Sequence, residues 1–68
     1  MFYKIIFFGT DHKRIAKLYY PSEHAPMSSA KKYATRMEDK FKNKVVSILV
    51  TGRGMKAYKV FGEWEDWD

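Results

Sequence analysis

The residues of this 68-residue chain best suited to chemistry lie within 26–42, PMSSAKKYATRMEDKFK. Ser29, Tyr33, Arg36 and Lys40 recur four, three and four apart, with Lys32 beside them. On a helix, at about 100° per residue, such spacing gathers them on one face. Cations on mobile stems with a phenol among them are what contact with a phosphate backbone needs: charge to displace counterions, and a ring or hydroxyl to fix position. The same pattern also serves a plain solvated helix face. Lys13, Arg14, Lys17, Arg53, Lys56 and Lys59 would reinforce the phosphate reading if they shared that surface.

Catalytic chemistry has far less to work with. His12 follows Asp11, but neighbours on a turn point apart, and both His12 and His24 fall in loops. Glu38 and Asp39 are adjacent, about 100° apart on a helix, so they cannot share a proton; Glu38 with Lys42 and Asp39 with Arg36 suit surface ion pairs. Gly52-Arg53-Gly54 has the look of a phosphate loop, yet it lies between two strand patterns and no helix N-terminus follows it. It reads as a hairpin turn carrying an exposed arginine. No nucleophile–base, metal or cofactor set emerges, and the expectation is a protein that is not an enzyme and takes no cofactor.

Composition narrows the class. The chain is one small domain of net charge +5, without cysteine, which excludes disulfides and thiolate metal sites and fits a reducing, cytoplasmic compartment. No apolar run approaches the roughly 20 residues of a membrane span, and Lys4 interrupts the apolar start without a cleavage pattern after it. The charge is uneven. Residues 1–62 hold all 13 basic residues against four acidic ones, whereas 63–68, EWEDWD, hold four acids and no base. That acidic segment, with Trp64 and Trp67, reads as an irregular tail that folds back on the basic body, covers the open sheet face or anchors a partner, or as a loose terminus with Trp64 packed at the sheet end.

These residues must be positioned by a scaffold, and the apolar pattern supplies one. Met27, Ala30, Ala34, Met37 and Phe41 make the buried stripe of a helix from Pro26 to about Lys42, with Pro26 in its first turn and Asn43 as a stop. FYKIIFF at 2–8 is apolar on both faces, the mark of a strand inside a sheet. KRIAKLYY at 13–20, with three basic residues, suits an edge. KVVSILVT at 44–51 and MKAYKVF at 55–61 follow, joined by the glycine turn. The expectation is a single α+β domain over 1–62 in the order ββαββ: a four-stranded antiparallel sheet, 2-1-3-4, with one helix on one face. Several of Tyr3, Phe7, Tyr19, Tyr58 and Phe61 would then line the other face, where aromatic rings can stack bases or meet another protein surface.

Small size, absence of cysteine, many lysines and aromatics and this element order together resemble small early bacteriophage proteins that inhibit host factors, among them antitoxins against host RNases and inhibitors of host RNA polymerase. The resemblance rests on size and element order across the whole chain, with no motif in KIIFFGTD, SSAKKYATRMEDKFK or ILVTGRG. It implies a binding protein acting in the host cytoplasm as an inhibitor or antitoxin-like regulator. The expected partner is a host protein and/or RNA, held by Lys32, Tyr33, Arg36, Lys40, Arg53, Lys56, Trp64 and Trp67. The alternative is an assembly module that forms a small homo-oligomer through its open sheet face.

Overall fold

Alternation along the first strand organises the molecule. In β1 (Phe2–Phe8), Tyr3, Ile5 and Phe7 are fully buried, Ile6 and Phe8 half-buried, and Phe2 and Lys4 exposed. One face is therefore dry and the other partly open, although the sequence is apolar on both. The structure is a computed structural model and describes residues 2–21, 23, 25–42, 44–60 and 62–67, the side chains of Asp66 and Trp67 excepted. Five strands form one antiparallel sheet: β1, β2 (Arg14–Pro21), β3 (Ser47–Gly52), β4 (Met55–Val60) and β5 (Glu63–Trp67), in the spatial order β2-β1-β3-β4-β5. A single α-helix, α1 (Met27–Glu38), crosses one face, giving a two-layer α+β domain.

Register places the core. Leu18, Ile5, Val50 and Ala57 lie side by side across four strands, as do Ala16, Phe7, Ile48 and Lys59. Beneath them α1 buries Met27, Ala30 and Ala34, with Met37 and Phe41 packed at the rim. The two alanines let the helix backbone approach the sheet closely, and Phe41 meets Phe7 with ring centroids 5.1 Å apart. Each of Ile5, Phe7, Ile48 and Val50 contributes roughly 1.5–3 kcal/mol by leaving water. Tyr3 is buried without an orphan polar atom, because its hydroxyl donates to the Ala25 carbonyl at 2.8 Å. Gly52 lies against Tyr3, and a Cβ there would come within 2.5 Å of the ring. Its role is this close approach, whereas Arg53 takes the left-handed conformation at φ 51 in the turn itself.

The expected four-stranded 2-1-3-4 order holds for β1–β4, but the sheet has a fifth strand. Glu63–Trp67, expected as an irregular tail, pairs with β4 from Val60↔Glu63 to Lys56↔Trp67. Gly62, at φ 81, turns the chain back so that β4 gains a partner and loses its free edge. The helix is shorter than expected. Pro26 is its extended N-cap residue, and after Glu38 the chain tightens into a 3-10 turn, Asp39–Phe41, closed by Lys42 at φ 50. Tyr3 and Phe7, proposed above for the open face, are on the helix face and fully buried; Tyr19 and Tyr58 are on the open one. Asn43, His24 and Phe61 lie outside the described residues. Val46, which shares its sequence alternation with Ile48 and Val50, precedes β3 and is exposed. No helix among the described residues is long and apolar enough to cross a membrane.

Candidate functional site

Two helical periodicities meet on α1, and the outward one builds the site. With Met27, Ala30 and Ala34 held against the sheet, Lys32 and Arg36, one turn apart, form an exposed cationic ridge. A groove runs along each side of that ridge. On the β2 side it is lined by Tyr20, Ser29 and Tyr33 together with the ridge cations. Tyr20 sits on the helix face of β2, two positions past Leu18, and meets Tyr33 with ring centroids 4.9 Å apart and planes tilted by 36°. Both rings remain half-buried, so each is anchored to the core while part of it faces the groove.

On the β5 side the second groove is lined by Ser28, Lys31, Thr35 and Trp64, again with Lys32 and Arg36. Trp64 is in register with Lys59 on β4 and so turns toward the helix face of the sheet, where it packs at the rim of the core. The Lys31 ammonium lies 5.8 Å from the Trp64 ring centroid and that of Lys59 6.0 Å. Cations over an indole face are attracted by its quadrupole, which holds the ring between helix and sheet. Lys59 also donates to Glu38 Oε1 at 2.9 Å, with its side chain 11% exposed. Glu38 was expected to pair with Lys42 along the helix; it instead bridges α1 to β4 and neutralises the lysine that the strand turns inward.

The expected site residues thus divide. Lys32, Tyr33, Arg36 and Trp64 converge around the ridge, and Lys40 is exposed on the 3-10 turn that extends it. Arg53 and Lys56 belong to a separate cleft at the start of α1, lined also by Ser28, Lys31 and Met55, where Arg53 donates to the Ala25 carbonyl at 3.3 Å. Trp67 is placed in β5 opposite Lys56, and its side chain is not described. Of the other strand cations, Arg14 and Lys17 are on the opposite face of the sheet, and Lys59 is engaged beneath the helix. Tyr20 and Lys31 were missed. Tyr20 was legible in the alternation of Ala16, Leu18 and Tyr20; Lys31 falls between the two helical stripes, and only the position of Trp64 gives it a role.

His12 is exposed on the turn between β1 and β2, and no three His, Asp or Glu side chains among the described residues gather as a metal site would require. What the outward face of α1 offers is a positive ridge with an aromatic surface in each flanking groove. It can hold an extended anion by charge while planar groups lie against the rings. The chain matches no protein-family model, no curated protein and no solved structure.

Proposed function

We propose that this protein is a small, non-enzymatic binding module that recognises single-stranded RNA through the outward face of α1. The observation that carries this reading is the Lys32–Arg36 ridge set between the Tyr20–Tyr33 pair and Trp64. Single-strand recognition combines cations that track the phosphates with rings on which bases stack, and stacking is worth about 1–3 kcal/mol per base. A duplex offers no free base faces, so a site of this composition favours unpaired strands. In a cell the module acts as an inhibitor or antitoxin-like regulator in the host cytoplasm, sequestering RNA or the host protein that handles it, in keeping with the resemblance to early phage proteins.

The test uses the intrinsic fluorescence of Trp64, which is placed in one groove, after Trp67→Phe removes the second tryptophan. Titration with an unlabelled oligouridylate should quench Trp64 saturably, and a duplex of equal phosphate number should do so at least about tenfold more weakly. Quenching that is identical for single strand, duplex and a non-nucleic polyanion would reduce the site to a charged surface and overturn the reading.

A further inference from the structure

We infer that the open face of the sheet is the interface of a two-fold symmetric dimer of this chain, with the β2 edge of one protomer laid over the β5 edge of the other. The arrangement of charge across that face carries the inference. A register shift between Phe7 and Phe8 puts Arg14 opposite Phe8 and Lys17 opposite Ile6, so both cations of β2 share the open face. At the far edge, Glu63 is in register with Val60 and Glu65 with Tyr58, which puts both carboxylates on that same face. Between the edges Ile6 flanks Leu49 and Phe8 flanks Ser47, which is buried, while Lys4 and Lys56 flank Thr51 in the next row. In the rows of Ile6 and Phe8 the face therefore runs from a basic to an acidic edge, with β3 at its middle.

Such a gradient is complementary to itself under one rotation only. A two-fold axis parallel to the strands, lying over β3, reverses the strand order while keeping each row level. Lys17 then faces Glu65 of the second copy, Arg14 faces its Glu63, and Leu49 meets its own equivalent on the axis. The perpendicular axis would stack basic edge on basic edge and acidic on acidic, which is unfavourable. Lys4 meets Lys56 of the second copy under the same rotation. That row is like-charged, and the two matched edge rows must outweigh it. Phe2, 60% exposed, and Tyr19, 53% exposed, pair edge to face at 6.3 Å on this same face, in keeping with a surface that is not fully solvated in use.

Five strands at about 4.8 Å spacing and three side-chain rows give a footprint that buries on the order of 1,000 Å² over both copies. That is the lower bound for a specific interface, and the dimer is a reversible one. Its geometry is distinct from the RNA reading: both α1 ridges face outward, on opposite sides of the pair.

Sedimentation equilibrium across a concentration series tests this through two charge-reversed chains, each checked for folding by circular dichroism. Glu63→Lys with Glu65→Lys makes both edges basic; Arg14→Glu with Lys17→Glu makes both acidic. The expected result is a dimeric wild type, each variant alone monomeric with affinity reduced at least about tenfold, and a heterodimer when the two are mixed. Raising the salt from about 50 to about 500 mM should weaken the wild-type dimer. A wild type that stays monomeric at millimolar concentration would overturn the proposal. So would a dimer that both variants leave intact, since another surface would then hold it, or variants that fail to recover on mixing. If the monomeric wild type instead binds RNA and loses it on Arg14→Glu with Lys17→Glu, the open face belongs to a nucleic-acid partner and the dimer is again excluded.

Discussion

The two faces of this sheet are built from the same strands and have opposite physical characters. Ile48 and Leu49 are neighbours on β3; the first is fully buried under α1, the second half-buried on the open side. On the helix face, charge is tolerated only when matched, as where Lys59 reaches Glu38 and lies over Trp64. On the open face, Arg14 and Lys17 stand at one edge, Glu63 and Glu65 at the other, and Lys4 and Lys56 in a row between them. The difference teaches that the helix face holds the fully buried apolar core and orients the outward ridge of α1, whereas Ile6, Phe8 and Leu49 on the open face are only half-buried. On the proposals above, stability and association fall to different residues of the same strands.

The sharpest way to break that contrast is to shorten each neighbour in turn. Ile48→Ala should cost about 2–5 kcal/mol, enough to leave so small a domain largely unfolded near body temperature, because it opens a cavity beneath the helix. Leu49→Ala should cost about 1 kcal/mol or less in dilute solution. Thermal melts followed by circular dichroism would read both, and equal losses would mean that the two faces are not distinct.

Truncation after Gly62 comes next in size. It removes β5, exposes the edge of β4 and takes Trp64 from the core rim, so the melting temperature should fall by about 8–15 °C, as expected for a loss near 2 kcal/mol in a domain of this size. A truncated protein with unchanged stability would restore the segment to the status of a loose tail. Glu38→Gln is subtler. It leaves the Lys59 ammonium without its carboxylate in a half-buried place and should cost roughly 1–3 kcal/mol, while Lys59→Met with Glu38→Gln should recover most of the loss. Failure of the double variant to recover would show that the pair is not what couples α1 to β4.

Much of this scaffold was legible in the sequence, and the misses have identifiable causes. The 3-4-3-4 spacing of Met27, Ala30, Ala34, Met37 and Phe41 located the helix and its buried side, since only a helix places those residues on one stripe. The 2-1-3-4 order followed from β1 being apolar on both faces. β5 was obscured because Glu63, Glu65 and Asp66 carry charges that strand propensities disfavour, and register with β4 overrides local preference there. The assignment of Tyr3 and Phe7 to the open face failed for another reason. FYKIIFF is apolar at both parities, so alternation alone cannot say which side the helix covers. Within the site, Lys32, Tyr33 and Arg36 were visible as a helical stripe, but Tyr20 and Trp64 come from strands on either side of the helix, and only the tertiary arrangement joins them.

The central claim is that the outward face of α1, and not net charge alone, binds RNA. Two variants of equal charge test it most directly: Lys32→Gln with Arg36→Gln on the helix ridge, and Arg14→Gln with Lys17→Gln on the open face. Neither pair should change stability by more than about 0.5 kcal/mol. Affinity for a labelled oligouridylate would be measured by anisotropy from about 50 to 200 mM salt, at protein concentrations too low for self-association. The account predicts that the ridge variant loses about 1.4 units from the slope of log K against log salt, at roughly 0.7 per phosphate contact, while the open-face variant keeps the wild-type slope. Equal losses from both pairs, or a loss only from the open face, would contradict it.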